Sequence, residues 1–225
     1  MTAAPLVIAI DGPAAAGKST LARALARRLG ITYLDTGATY RALALAAREA
    51  GIDWDDAPAL TVLAGSLDLR FGAMTEGGQQ VSLGTREISD AIRSEAIGEG
   101  ASVVSAHPAV RAALVALQRR IAASQSVVAE GRDTTTVVFP NATVKFFLLA
   151  ERPERSRRRA WDLTQQGLDV ELSAVEEAMA IRDERDSTRA ASPLIEAPDA
   201  IRLDSTDRTP ADVLAIALAA IQARV

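Results

Sequence analysis

Apolar and β-branched residues gather in five short runs, 6–10, 31–34, 126–130, 143–149 and 200–203, with stretches of helical spacing between them. Such alternation predicts a parallel sheet whose strands are buried on both faces and covered by helices. Leu21, Leu25 and Leu29 follow one another at four-residue steps and Gly30 ends the first helix. A second is expected over 38–50, closed by Gly51. Pro108 suits the first turn of a helix carrying Leu114, Leu117 and Ile121, and Thr209 suits the cap of a last helix from Pro210.

The rhythm changes between Asp68 and Ser89. Residues 67–71 and 80–83 alternate with period two around a polar loop containing Gly77-Gly78, which predicts a small antiparallel hairpin, with 86–88 as a short third strand. A helix is expected over 90–106, with Gly98 and Gly100 loosening its middle into a hinge.

The chemistry begins at Gly12-Pro13-Ala14-Ala15-Ala16-Gly17-Lys18-Ser19-Thr20, which fits G-x-x-x-x-G-K-[ST] between a strand and a helix. In that context backbone N–H groups face the phosphates of a nucleoside triphosphate, the lysine reaches the β- and γ-phosphates, and the serine hydroxyl reaches Mg²⁺. Of 25 lysines and arginines only Lys18 and Lys145 are lysines, so a strongly arginine-biased chain keeps an ammonium at the one place this loop requires it.

Three further patches offer groups for a second anion, and a fourth cluster suits the triphosphate. Asp35-Thr36-Gly37-Ala38-Thr39-Tyr40-Arg41 opens a helix after a strand, where N–H groups and Arg41 could meet a phosphate; an ordinary cap with a solvated arginine is the alternative. Glu130-Gly131-Arg132-Asp133 lies at the carboxyl end of a strand, where ligands of open α/β sheets bind. Glu130 stands where an acid could orient Mg²⁺ or its waters, and a salt-bridged turn is the alternative. Arg182, Arg185, Asp186 and Arg189 share one face of a predicted helix, readable as a polar cleft wall or a solvated stripe. Arg152, Arg155, Arg157, Arg158 and Arg159 crowd one short helix, which suits a mobile flap closing over triphosphate or, less simply, a surface for RNA.

Bulk properties narrow the classes. With 225 residues, 48% of them hydrophobic, the chain can bury one substantial core. A net charge of −4 gives no global basic field for wrapping nucleic acid, and the absence of cysteine excludes disulfides and thiol chemistry. Neither a signal-peptide pattern nor an apolar stretch of membrane-spanning length is present, so a cytoplasmic enzyme without membrane or nucleic-acid partners is expected. A guanine-reading switch protein would need N-K-x-D, but the only asparagine, Asn141, precedes Ala142. His107, the single histidine, is expected to be structural at a helix start.

The segments GPAAAGKST, DTGATYR, EGRD, TVVFP and RDERDSTR, in this order over nearly the whole chain, resemble bacterial cytidylate kinases, members of the P-loop nucleoside monophosphate kinases. The resemblance implies a P-loop NTPase fold of α/β class, with a five-stranded parallel sheet flanked by helices, an inserted nucleoside-monophosphate-binding region containing a small antiparallel sheet, and a short helical lid. One kinase unit is expected, with core 1–35, 107–150 and 168–225, insertion 36–106 and lid 151–167. The implied activity is ATP- and Mg²⁺-dependent phosphorylation of CMP and dCMP by a monomer, with a P-loop kinase of another small acceptor such as UMP as the alternative. On this resemblance Gly12 to Thr20, with Arg158 and Arg159, would hold ATP, and Ser19 and indirectly Glu130 would serve Mg²⁺. Thr36, Tyr40 and Arg41 would line the CMP site; Ser102, Arg111 and Asp133 would read cytosine; Arg182 and Asp186 would meet the sugar. Arg132 and Arg189, with Arg41, would hold the acceptor phosphate, and Lys18, Arg132, Asp133 and Arg189 would carry the catalysis. Asp204-Ser205-Thr206 would lie near the adenine. Ser19, Thr36 and Glu130 stand where the family commonly has glycine, serine and aspartate.

Overall fold

The computed structural model describes residues 5–75, 78–165, 167–188 and 191–224. The expected hairpin tip at Gly77, the N-terminal segment 1–4 and Arg189 lie outside the described residues. The described chain runs β1 (Val7–Asp11), α1 (Lys18–Leu29), β2 (Thr32–Asp35), α2 (Thr36–Glu49), α3 (Ala57–Ser66), β3 (Leu69–Thr75), β4 (Gly78–Leu83) and β5 (Arg86–Glu87). It continues with α4 (Glu95–Val104), α5 (Pro108–Ala123), β6 (Val127–Glu130), β7 (Val144–Leu149), α6 (Arg152–Gln165), α7 (Leu172–Thr188), β8 (Ile201–Asp204) and α8 (Pro210–Gln222). The five apolar runs form one parallel sheet in the order β2-β6-β1-β7-β8, and β3-β4-β5 form a separate antiparallel sheet.

The chain divides into two compact units, one of Met1–Val7 with Ala26–Ala129 and the other of Ile8–Leu25 with Glu130–Val225. In the second unit β1 and β8 flank β7, with Ile8 opposite Val144, Ile10 opposite Phe146, and Leu148 opposite Leu203. Ile8, Ile10, Val144, Phe146 and Leu148 are wholly buried, which is why these strands read as continuous apolar runs rather than as alternating ones. Thr209 caps α8 in a full capping box, its side chain accepting from the Asp212 N–H while the Asp212 carboxylate accepts from the Thr209 N–H.

In the first unit, six consecutive residues of α2, Ala42 to Ala47, are buried against α3, the β3–β4 hairpin, α4 and α5. Helix α2 begins at Thr36, two residues before the expected start, because the Asp35 carboxylate caps it by accepting from the Ala38 N–H at 3.1 Å. Helix α3 was not expected from periodicity. Only Leu60 and Ala64 are buried on it, too thin a stripe to register, although Asp56 caps it and Pro58 sits in its first turn.

The expected helix over 90–106 divides into a 3₁₀ turn, Ala91–Arg93, and α4. Helix α4 passes through both of its glycines without interruption. Gly100 is small because a Cβ there would stand 2.4 Å from the Trp54 ring. That indole donates to the Ala44 carbonyl at 3.0 Å, and His107 Nε2 pairs with the Trp54 carbonyl at 2.9 Å, so glycine lets α4 close over a fixed aromatic. Gly100→Ala should therefore destabilise the fold by about 1–3 kcal/mol through overpacking. Chemical denaturation followed by tryptophan fluorescence measures this, and an unchanged midpoint would contradict the packing role.

Candidate active site

The second unit carries the phosphate-loop chemistry. After β1 the backbone takes positive φ at Gly12 (147°), Ala15 (57°) and Gly17 (92°). A Cβ on Gly12 would lie 2.0 Å from the Leu148 carbonyl oxygen, so only glycine fits that approach. Lys18 is buried at the head of α1, and its ammonium donates to the Pro13 carbonyl at 2.7 Å, closing the loop on itself. Burial pushes the Lys18 pKa well below its usual value and the Arg132 charge pushes it further. Glu130 opposes this, Arg182 adds to it, and Asp11 opposes it again. An anion placed beside this ammonium would offset the cationic repulsion from Arg132 and Arg182.

Asp11, the last residue of β1, is the functional group that sequence reasoning missed. Its wholly buried carboxylate accepts from the backbone N–H groups of Thr134 (2.9 Å) and Thr135 (2.7 Å) and from the Thr135 hydroxyl (2.6 Å). These donors open a π-helical turn, Thr134–Val138, that directly follows Arg132 and Asp133. Burial raises the Asp11 pKa and the three hydrogen bonds oppose the rise. The available signal was a carboxylate ending an otherwise apolar strand; its partners, more than 120 residues away, were not readable. The Gly131 N–H also donates to the Ile10 carbonyl at 3.0 Å, so strand β1 fixes both sides of the Arg132 turn.

Arg132 donates through Nε to Asp186 on α7 at 2.9 Å, and Arg182, one helical turn earlier, lies 3.9 Å from the same carboxylate oxygen. Enclosure by neighbouring protein, followed by the Arg132 charge, lowers Arg182 to about 10, with Asp186 opposing and Arg159 and Arg185 adding to the shift. The structure thus brings together Lys18, Glu130, Arg132, Arg159, Arg182 and Asp186. Arg158 is engaged elsewhere: it donates to Glu154, to the Ser205 hydroxyl at 3.0 Å and to the Ser205 carbonyl at 2.6 Å. Asp133 is buried at the head of the π-helical turn. Ser19 is half-buried and Thr20 exposed on the first turn of α1.

The first unit holds five of the residues expected at the acceptor, Thr36, Tyr40, Arg41, Ser102 and Arg111. Arg41 folds back onto Asp35 in an ion pair of 2.5 Å, so the N-terminus of α2 carries its own carboxylate as well as the arginine. Gly37 permits this, since a Cβ there would come within 3.2 Å of the Arg41 guanidinium. Arg111, buried on α5, places its guanidinium 5.4 Å from the centre of the Tyr40 ring and donates to the Ser105 carbonyl at 3.3 Å. Thr36 is buried, and its carbonyl accepts from the Thr39 hydroxyl at 2.7 Å, which in turn accepts from buried Gln118 at 2.8 Å. Ser102 is half-buried on α4.

No group of three or more metal-ligating side chains occurs among the described residues. The donors at hand, one hydroxyl on Ser19 and one buried carboxylate on Glu130, fit a hard cation that keeps its waters and arrives with phosphates, as Mg²⁺ does.

The model of the family described as cytidylate kinase matches residues 8–223 of the chain. This protein belongs to the cytidylate kinase family. The cytidylate kinase of Azotobacter vinelandii is 48% identical over 100% of this chain and 98% of its own. That of Pseudomonas paraeruginosa is 51% identical over 92% of this chain and 91% of its own. A bifunctional pantoate ligase/cytidylate kinase of a Synechococcus is 50% identical over 90% of this chain and 42% of its own length. Among solved structures, an uncharacterized protein from Eubacterium ventriosum is similar in fold, with a TM-score of 0.52 at 11% identity over 97% of this chain and 99% of that one.

Within this cytidylate kinase family member, the Asp11 carboxylate holds the first donors of the turn after Arg132. Asp11→Ala strands two buried N–H groups, each worth about 1–3 kcal/mol. Urea denaturation should show that loss, and a stability within about 0.5 kcal/mol of the parent would remove Asp11 from its assigned place.

Proposed function

We infer that the chain transfers the γ-phosphoryl group of ATP to the phosphate of CMP or dCMP, giving ADP and the cytidine diphosphate. The observation that carries this reading is the glycine-bounded phosphate loop with Lys18 buried at the head of α1, its pKa depressed first by burial and then by the Arg132 charge, within a chain whose family is cytidylate kinase. The acceptor oxygen is already anionic, so the reaction needs no strong base. The phosphoryl group leaves the bridging oxygen of ATP and bonds to an oxygen of the acceptor phosphate. The difficulty is bringing two anions into line, and fixed cations meet it without reorganising.

In this reading residues Gly12 to Thr20, together with Arg158 and Arg159, bind ATP. When bound with the triphosphate, Mg²⁺ supplies charge neutralisation at the β- and γ-phosphates. Ser19 would hold the ion and Glu130 would orient its waters. Arg132, Arg189 and Arg41 hold the acceptor phosphate, with Lys18, Arg132, Asp133 and Arg189 as the catalytic set. Thr36 and Tyr40 line the CMP site, Ser102, Arg111 and Asp133 read the base, and Arg182 and Asp186 meet the sugar. Residues 36–106 form the acceptor-binding insertion and 151–167 the lid, on a core of 1–35, 107–150 and 168–225. A cytoplasmic monomer without nucleic-acid or membrane partners completes the proposal.

A coupled assay with ATP, Mg²⁺ and a panel of CMP, dCMP, UMP, AMP and dephospho-coenzyme A tests the acceptor. CMP and dCMP should exceed the others in kcat/KM, and preference for any other acceptor overturns the assignment. Lys18→Ala and Arg132→Ala should each lower kcat by about 10²–10³ by analogy with other fixed charge stabilisers while leaving the circular dichroism unchanged. Near-normal turnover in either variant would remove that residue from the catalytic set.

A further inference from the structure

Two side chains grip the phosphate loop from the face that carries its carbonyls. Arg155, on α6, is buried, and its three nitrogens all donate to protein: Nε to the Ala150 carbonyl at 3.0 Å, one terminal nitrogen to the Ala14 carbonyl at 3.2 Å, and the other to Asp183 at 2.7 Å. Ser205, after β8, is also buried, with its hydroxyl 2.9 Å from the Ala16 carbonyl and 3.0 Å from that of Leu149. The Leu149 carbonyl also receives the Ser205 N–H at 2.8 Å, and of the two carbonyls Ala16 is the nearer to the hydroxyl. Arg158 donates to the same hydroxyl at 3.0 Å and holds it from behind.

The peptide unit is planar and trans, so its carbonyl and its N–H point in opposite directions. Holding the Ala14 carbonyl on one face turns the Ala15 N–H to the other, and holding the Ala16 carbonyl does the same for the Gly17 N–H. Ala15 adopts φ of +57° without being glycine, a conformation that persists only where the surroundings over-determine it. The Arg155 bond falls on the peptide immediately before it.

We propose that Arg155 and Ser205 are positioning residues that pin the outward carbonyls of the phosphate loop and thereby aim the Ala15 and Gly17 N–H groups at the triphosphate, an inference that rests on reading this loop as the ATP site. Arg155 is then a fixed brace between α6, α7 and the loop, not one of the flap cations that meet phosphate. Its three acceptors diverge in the plane of a guanidinium, so an ammonium at the same place reaches fewer of them.

Calorimetric titration with a non-hydrolysable ATP analogue and Mg²⁺ tests this on the wild-type chain and on Ser205→Ala, Arg155→Met and Arg155→Lys, with KM for CMP and thermal melts alongside. The analogue should bind about threefold to tenfold more weakly to Ser205→Ala and more than tenfold more weakly to Arg155→Met. Arg155→Lys should be no better than Arg155→Met. KM for CMP should stay within about twofold and the melting temperature of Ser205→Ala within a few degrees. Should the Arg155 variants not fold, Ser205→Ala decides, because it removes a single hydroxyl. The inference is overturned if Ser205→Ala binds like wild type, if Arg155→Lys restores affinity and so marks a charge role, or if KM for CMP rises in step. Wild type that takes up no analogue would overturn the nucleotide reading and this inference with it, whereas equal uptake by wild type and variants overturns the pins alone.

Discussion

Positive charge that must be held together before any ligand arrives is the constraint on which the second unit is built. Burial and then the charges of Arg132 and Arg182 depress Lys18, and enclosure by neighbouring protein and then the Arg132 charge depress Arg182. Left alone they would drive their helices and turns apart. The unit meets this with a small number of placed anions: Asp186 on Arg132, Glu130 and Asp11 on Lys18, and Asp183 on Arg155. Asp11 has two tasks, since the carboxylate that offsets Lys18 also accepts the backbone donors of the turn behind Arg132. Charge balance and loop geometry therefore depend on one another.

The same economy appears in the backbone. The phosphate loop contains positive φ at two glycines and at Ala15, and each of its free-standing carbonyls at Pro13, Ala14 and Ala16 accepts from a side chain. Such a loop keeps its N–H groups presented before the ligand arrives, so less ordering remains to oppose binding. In the first unit Asp35 plays a similar part for Arg41, holding the guanidinium at the start of α2 by an ion pair instead of leaving it to wander in solvent.

Most of the architecture was legible because it follows from local demands. Strands buried on both faces have to be apolar throughout, and the phosphate loop has to place glycines at Gly12 and Gly17 and a lysine at Lys18. Those demands leave marks at fixed spacing. What escaped depends on partners distant in the chain. Asp11 reads as a polar strand end until Thr134 and Thr135 are seen to meet it. The arginines of α6 read as one flap, yet Arg155 and Arg158 turn to Ala14, Asp183 and Ser205, while Arg159 contributes to the field at Arg182. Gly100 reads as a loosened helix because nothing near it in sequence announces the Trp54 ring. Helix α3 buries too little to leave a period.

The most direct measurement is ³¹P NMR of the protein incubated with ATP, Mg²⁺ and CMP. The account predicts that the γ-phosphate resonance of ATP gives way to the β-phosphate of CDP, with ADP appearing in equal amount. Release of inorganic phosphate with CMP left unchanged would contradict it.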